Sequence, residues 1–218
     1  MLDLDLASGH GLRRILCLGA HCDDIEIGCG GTVLRLLERH PAVHVDWVVF
    51  TSTPARAVEA RTSAAGFLQG AHSPNVVIRD FRDGYLPWSG TAVKDCFEEL
   101  KRGPAPDLIL THHRGDFHQD HRLVAELTWN TWRDHLILEY EIPKYDGDLG
   151  RPNAFVPLTE AIVRRKVELI LGSFASQAGK AWFTADTFRA LLRLRGIEAN
   201  APDGLAEAFF APKLRLTP

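Results

Sequence analysis

Residues 15–32, ILCLGAHCDDIEIGCGGT, contain the change of pattern that decides the fold. An apolar run ends at Gly19, a polar and acidic stretch rich in glycine follows, and helical spacing of apolar residues resumes over residues 32–39. This succession predicts a buried strand, a loop and a helix. Because the polar residues come directly after the strand, we expect them at the carboxyl edge of a sheet, where open parallel sheets bind ligands.

The same alternation continues along the chain and predicts the fold class. We predict strands at residues 13–18, 43–52, 75–79, 108–110 and 136–141, a long loop at 142–157, and helices at 32–39, 56–68, 92–101, 118–133, 159–174 and 184–194. Strands that alternate with helices are typical of a parallel sheet covered on both faces. The expected fold is therefore α/β, a Rossmann-like three-layer sandwich with a mostly parallel central sheet, in a single domain over residues 1–218.

Composition and charge exclude several classes of protein. With 45% hydrophobic and 24% charged residues, the chain is neither disordered nor fibrous. A net charge of −3 offers no basic surface for nucleic acid or anionic lipid. The absence of an apolar N-terminal segment, of a membrane-length apolar run and of any CxxC pair among the four cysteines predicts a cytoplasmic protein without a leader or a membrane span.

The first polar cluster, which follows the first predicted strand, contains His21 and two adjacent aspartates, Asp23 and Asp24. Adjacent carboxylates point in different directions, so one can bind a metal ion while its neighbour faces a substrate. A solvated turn that caps the helix is an alternative. A second alternative is a nucleotide-sugar or dinucleotide binding module in which Gly28–Gly31 forms a phosphate-binding turn. Against it, the glycines do not spell GxGxxG, and the preceding acids would repel a pyrophosphate.

The second polar cluster follows the fourth predicted strand and contains four of the ten histidines within residues 112–121. His118 and His121 are three residues apart, so they share one face at the start of a helix, and Asp120 can accept a ring N–H. For His112 a surface or capping position is preferred. If the two clusters meet, His21, Asp24 and His121 offer two nitrogens, one carboxylate oxygen and an open fourth position. That set is typical of catalytic Zn²⁺, with Fe²⁺ as the other candidate.

Several motifs resemble those of one enzyme family. Residues 20–24 with residues 28–32 resemble the AHPDD and GxGGT motifs of the PIG-L/LmbE-like zinc N-deacetylases, and residues 116–121 resemble their DxHPDH motif, although Cys22 and Gln119 replace the usual prolines. Residues 56–60 resemble the RxxEA motif of the family. Residues 195–196 with residues 206–209 resemble the RG and AEAF motifs near its C-terminus. The resemblance thus extends over nearly the whole chain.

This resemblance implies a zinc-dependent hydrolase that removes the N-acetyl group from an N-acetylglucosamine-type sugar or sugar conjugate. The partner would be a small molecule, and exposed faces of the C-terminal helices would allow a homo-oligomer. We expect the loop of residues 142–153 to close over the site. Tryptophans could stack on sugar rings, but core packing is the expected use of most of them.

The resemblance also implies roles for single residues. These are His21, Asp24 and His121 as metal ligands, Asp23 as general base, His118 as a protonated group that stabilises the oxyanion, Asp120 as its orienter, and Arg56 as a contact to the sugar or a phosphate, or else an ion pair with Glu59.

Overall fold

The computed structural model describes residues 3–6 and 11–215, so part of the N-terminal segment on which the prediction of no leader depends lies outside it. The strands are β1 (Arg14–Gly19), β2 (His44–Thr51), β3 (Asn75–Phe81), β4 (Leu108–His112), β5 (Leu136–Tyr140), β6 (Ala154–Pro157) and β7 (Ala206–Phe210). The helices are α1 (Asp24–Arg39), α2 (Pro54–Phe67), α3 (Gly90–Lys101), α4 (Gln119–Thr131), α5 (Glu160–Ser173) and α6 (Ala185–Glu198), with short 3₁₀ turns at Leu86–Ser89 and Ala175–Gln177.

These strands form one seven-stranded sheet in the order β3-β2-β1-β4-β5-β7-β6. The five strands from β1 to β5 are parallel, and β7 lies antiparallel to both β5 and β6. Side chains of β1 alternate between two apolar cores, since Ile15 and Cys17 pack on one face and Leu16 and Leu18 on the other. The α/β prediction with a mostly parallel sheet and helices on both faces is confirmed.

Strand β1 lies at the topological switch point of the sheet. It pairs with β2 on one side and with β4 on the other. The chain continues from β1 to β2 on one side and from β4 to β5 on the other, so the connections after β1 and β4 run in opposite directions. A crevice opens at such a point, outside the carboxyl ends of the strands. Both polar clusters of the sequence begin there, because β1 ends at Gly19 and β4 ends at His112. Within the described ranges, no helix is long and apolar enough to cross a membrane.

Helix α1 begins at Asp24, well before the residue 32 that the apolar spacing predicted. The predicted glycine-rich turn is wrong, because Gly28–Gly31 lies inside this helix and is buried. Glycine is required there by close packing: a Cβ on Gly28 would lie 2.2 Å from Cδ2 of Tyr140, and one on Gly30 would lie 2.6 Å from the Phe67 ring. The alternative of a phosphate-binding turn at Gly28–Gly31 is also wrong, because no phosphate can reach these buried backbone groups.

A Gly28→Ala substitution tests this packing. We expect it to lower the free energy of unfolding by about 1–3 kcal/mol, as overpacking of a close-packed core does, although alanine is the better helix former. Urea unfolding of the two proteins measures the difference. Gly172→Ala in α5, where a Cβ would meet no atom within 4 Å, is the matched control and should be neutral or stabilising. Equal stability of Gly28→Ala and the parent protein would contradict the tight approach of α1 to Tyr140.

The C-terminal third adds two short strands that the sequence did not resolve. An apolar stretch that includes residues 208–210 forms β7, and the end of the predicted long loop forms β6, which pairs with it. β6 has only four residues, which are too few for an alternation of apolar and polar side chains to be recognised. Its last residue is Pro157, and proline within a run argues against a strand.

Candidate active site

Three donor atoms from two distant parts of the sequence converge at the switch point. His21 Nδ1 lies 3.2 Å from Asp24 Oδ2 and 3.0 Å from His121 Nε2, and the latter two atoms are 3.5 Å apart. His21 lies in the loop after β1, Asp24 is the first residue of α1, and His121 lies in the first turn of α4. An ion in tetrahedral coordination, with bonds of about 2.0–2.1 Å, holds its ligand atoms roughly 3.3 Å apart. The donor set and its spacing therefore fit a metal ion.

Hydrogen bonds behind His121 hold its ring in place. Its Nδ1 lies 2.9 Å from Asp116 Oδ2, which also accepts from Lys144 Nζ at 2.9 Å. Burial acts to raise the pKa of Asp116. This effect is outweighed by the hydrogen bond and charge of His121, and next by the charge of His112 and the bond from Lys144, so the pKa of Asp116 is lowered. Burial and the neighbouring His112 lower the pKa of His121 to about 4. At neutral pH the ring is therefore uncharged and Nε2 is free to bind a metal.

Carboxylates also contact the far side of His21. Its Nε2 lies 3.3 Å from Asp120 Oδ2 and 3.1 Å from Asp83 Oδ1. Asp120 is fixed in turn by the backbone N–H groups of Gly84 and Leu86, at 2.7 and 3.1 Å. Burial acts to lower the pKa of His21, but the charge of Asp24 and the bond to Asp120 raise it above its usual value. A metal ion must therefore displace a proton from His21, which makes metal affinity dependent on pH.

The contacts of His118 differ from those that the resemblance implied. Asp120 contacts it through the backbone, since the Asp120 N–H donates to His118 Nδ1 at 3.2 Å, while the Asp120 carboxylate is bound to His21. The predicted orientation of His118 by the Asp120 side chain is therefore wrong. Burial and the nearby charge of His21 lower the pKa of His118. Because Nδ1 accepts from the Asp120 N–H, the neutral ring carries its hydrogen on Nε2, and the protonated form that the resemblance implied stays a prediction.

Asp23 and Arg56 form an ion pair beside the three donor atoms. Arg56 Nη2 lies 3.1 Å from Asp23 Oδ1, and Nη1 lies 3.2 Å from Glu59 and 3.0 Å from Ser176 Oγ. Burial raises the pKa of Asp23. The charge of Arg56 acts to lower this pKa, and the charge of Asp24 acts to raise it. Burial also acts to raise the pKa of Asp24, but the charges of the surrounding histidines lower it. The two adjacent carboxyl groups thus differ, because Asp24 is held ionised while Asp23 is the more basic.

His112 is a member of the cluster that sequence reasoning missed. It is fully buried at the end of β4, where its Nε2 lies 3.0 Å from the Ala20 N–H and 3.1 Å from Asp24 Oδ2, and its ring stacks on His121 at 3.9 Å. The preferred surface or capping position is therefore wrong. His113, the next residue, points away and lies 2.7 Å from Glu139. Asp83 was also missed, since nothing in the sequence linked the loop after β3 to the two clusters.

The loop of residues 142–153 lies against the second cluster. Lys144 Nζ bonds to Asp116 and, at 2.6 Å, to Asp148 Oδ2, which accepts from the backbone N–H of Phe117 at 2.7 Å. At its other end, Arg195 Nη2 donates to the carbonyl of Gly150 at 3.2 Å. These bonds place the loop at the edge of the site, and its closure over a substrate stays a prediction.

Comparisons of sequence and of structure identify proteins that are similar to this chain. It is 28% identical over 151 residues to the "Uncharacterized deacetylase YaiS" of Escherichia coli K12, an alignment that covers 63% of this chain and 78% of that protein. The N,N'-diacetylchitobiose deacetylase of Pyrococcus horikoshii has a similar structure, with a TM-score of 0.68, 20% identity, and coverage of 91% of this chain and 83% of that one.

A solved structure that is named for another reaction, a hydration rather than a deacetylation, has a similar fold. GalB, the 4-carboxy-2-hydroxymuconate hydratase of Pseudomonas putida KT2440, has a TM-score of 0.72 at 16% identity, with coverage of 95% of this chain and 99% of that chain. At such identities the two solved structures show the fold alone. The sequence model described as "PIG-L: GlcNAc-PI de-N-acetylase" matches residues 16–132, which are more than half of the chain and include both polar clusters. The chain therefore belongs to the PIG-L family of GlcNAc-PI de-N-acetylases.

Proposed function

We propose that the protein is a zinc-dependent N-deacetylase that hydrolyses the acetamido group of an N-acetylglucosamine-type sugar or sugar conjugate. The observation that carries this proposal is the convergence of His21 Nδ1, Asp24 Oδ2 and His121 Nε2, with the basic Asp23 carboxylate beside them. Family membership and the similar fold of the diacetylchitobiose deacetylase support it. The fold of GalB makes a direct assay necessary, because the architecture alone does not decide the reaction.

His21, Asp24 and His121 would hold the metal ion. Two nitrogens and one carboxylate oxygen favour Zn²⁺, with Fe²⁺ as the second candidate. When bound, zinc would polarise the acetamide carbonyl and lower the pKa of a water molecule to about 7. The hydrogen bonds of Asp116 and Asp120 to the two imidazoles fix the ring orientations that such a site needs.

Asp23 is the general base in the proposed mechanism. Its carboxylate accepts a proton from the attacking water, whose oxygen adds to the acetyl carbon, and it then returns the proton to the departing nitrogen as the C–N bond breaks. The products are acetate and the free amino sugar. Burial raises the pKa of Asp23, so it accepts the proton more readily than an exposed aspartate would. Arg56 holds the carboxylate in position.

His118 would stabilise the negative charge that develops on the acetyl oxygen. Because its Nδ1 accepts from the backbone of Asp120, Nε2 carries the ring hydrogen and can donate it to that oxygen. The neutral ring, held by the first turn of α4, can act as this donor without the protonation that the resemblance implied. A direct contact of Arg56 with a sugar hydroxyl or phosphate remains part of the proposal, since its guanidinium lies at the edge of the same site.

Removal of the metal tests the function. Zinc-loaded protein should release acetate from N-acetylglucosamine glycosides, chelation should abolish this activity, and zinc should restore it. A His121→Ala variant should lose most of its bound zinc and at least 10²-fold in activity, because one of only three ligands is gone. Zinc content is measured by atomic absorption and acetate by an enzyme-coupled assay.

The matched control is His72→Ala, which removes an exposed histidine in the segment between α2 and β3. It should keep both zinc and activity. Zinc content and activity in His121→Ala equal to those of the parent protein would contradict the ligand assignment. A zinc-loaded parent protein that releases no acetate from any N-acetylated sugar would contradict the deacetylase itself.

A further inference from the structure

The connection between β3 and α3 forms a fixed edge of the candidate active site. The backbone N–H groups of Gly84 and Leu86 both donate to the buried Asp120 carboxylate, and Gln119 Nε2 donates to the Gly84 carbonyl at 3.1 Å. Leu86 is fully buried in the core on that face of the sheet. Asp83, between these anchors and β3, reaches His21 Nε2 at 3.1 Å. The segment is therefore tied to the site by both its backbone and its side chains.

This fixed segment carries an exposed group of side chains, Arg82, Tyr85 and Trp88, which we call the aromatic platform. Trp88 is 75% exposed and Tyr85 is 44% exposed, and their ring centroids are 5.7 Å apart. The guanidinium carbon of Arg82 lies 3.7 Å from the centroid of the Tyr85 ring. Tyr85 and Trp88 are three residues apart at a 3₁₀ turn, a spacing that puts side chains on the same side.

The platform combines two features that a solvated loop does not need. An indole ring that is three-quarters exposed on an anchored backbone leaves a large apolar surface in water. Arg82 is exposed and has no ion-pair partner among the residues that the structure describes, so its charge is available to an anion. Ring faces beside an unpaired cation are complementary to a flat ring that carries a negative charge.

The platform also lies at the right place for a substrate. Tyr85 follows Asp83 by two residues, so their Cα atoms are at most about 7 Å apart. Asp83 in turn contacts His21, one of the three residues whose donor atoms converge. A group attached to an N-acetylated sugar whose acetamide lies at those atoms can therefore reach the platform.

We propose that the aromatic platform is the subsite for the aglycone of the substrate, and that it selects an aglycone with a flat ring face and a negative charge. This inference rests on the proposed function, since it names the substrate class of the same site. The aglycone undergoes no chemical change in deacetylation, so its contacts stabilise the bound substrate and the transition state alike. The platform therefore acts on KM and leaves kcat nearly unchanged.

Four N-acetylglucosamine derivatives separate the ring from the charge. The methyl glycoside has neither, the 4-nitrophenyl glycoside has only the ring, the 1-phosphate has only the charge, and UDP-N-acetylglucosamine has both. Steady-state acetate release should give the lowest KM for the UDP derivative. Trp88→Ala should raise KM about three- to tenfold for the two ring-bearing substrates, and Arg82→Gln should raise it about fivefold for the two anionic ones. The KM of the methyl glycoside should not change in either variant.

The controls are an exposed arginine and an exposed apolar residue away from the site. Arg102→Gln changes the residue that follows α3, at the end of this helix remote from the platform, and Ile197→Ala changes an exposed residue of α6. Neither should change the order of the four KM values. Equal KM ratios in Trp88→Ala, Arg82→Gln and the parent protein would overturn the inference while the deacetylase stands. A change in oligomeric state by light scattering, with unchanged KM ratios, would make the platform a contact between copies and would also overturn it.

Binding calorimetry with UDP-N-acetylglucosamine keeps the two proposals apart. It needs no turnover, so it reports on the platform even if acetate is never released. Weaker binding to Trp88→Ala than to the parent protein supports the platform whatever the reaction. If the parent protein binds no more tightly than Trp88→Ala, the subsite is overturned independently of the deacetylase.

Discussion

Replacement of Asp23 by Asn is expected to lower the rate of deacetylation about 10²–10⁴-fold, the usual contribution of a general base, while zinc content and stability stay close to those of the parent protein. The amide has the shape of the carboxylate but cannot accept the proton of the attacking water. Asp23 contributes none of the three converging donor atoms, so the metal should remain. Arg56 keeps Glu59 and Ser176 as partners after the change, so no buried cation is left unpaired.

The pH profile gives this prediction a second readout. The base must be ionised to act, so the activity of the parent protein should rise with pH through the pKa of Asp23, which burial raises above its usual value. With zinc in excess, so that the pH-dependent metal site stays filled, that acid limb should be absent from any residual activity of Asp23→Asn. Glu59→Gln is the matched control, because it removes the other carboxylate on Arg56 and should retain both the limb and most of the activity. Full activity in Asp23→Asn would exclude Asp23 as the base.

The fold could be predicted because apolar strands alternate with helices over most of the chain, and this alternation depends only on local sequence. The start of α1 could not, because glycines at 28, 30 and 31 have poor helix propensity and are helical only through their neighbours in space. The Tyr140 and Phe67 rings that press against them come from β5 and α2. Local reasoning fails where tertiary packing overrides propensity.

Convergence of the two clusters could be predicted for a similar reason. Each follows a strand end, and strand ends of a parallel sheet share one edge. The contacts of single side chains could not be predicted in the same way. His112 and His113 point to opposite faces of the sheet, and nothing local says which of them meets Asp24. Asp83 joins His21 only because the loop after β3 is bound to Asp120.

The buried ion pair of Lys166 and Glu207 is expected to contribute strongly to stability. Both side chains are only 2% exposed, and Lys166 Nζ lies 2.6 Å from Glu207 Oε1. Lys166 also donates to the Ile27 carbonyl at 2.7 Å, while Glu207 accepts from the N–H groups of Gly31 and Thr32 at 2.8 and 2.6 Å. In a regular helix the Gly31 N–H would donate to that same Ile27 carbonyl. Lys166 and Glu207 thus contact both backbone groups that this helical bond joins, within the first two turns of α1.

Lys166→Met should lower the free energy of unfolding by about 3–5 kcal/mol, because it leaves the Glu207 carboxylate buried without its cation and removes the bond from Lys166 to the Ile27 carbonyl. This is a large part of the roughly 5–15 kcal/mol by which a domain is stable. Urea unfolding measures it. The matched control is Arg189→Met, which breaks the exposed pair with Glu160 and should cost less than about 1 kcal/mol. A similar loss in both variants would mean that the buried pair has no special role.

The double variant Lys166→Met with Glu207→Leu distinguishes a cooperative pair from two independent residues. Once both charges are gone, neither buried charge is left without its partner. The double variant should therefore be less destabilised than the sum of the two single variants, with a coupling of about 1–3 kcal/mol. Additive losses would contradict this expectation and would show that the two residues act independently.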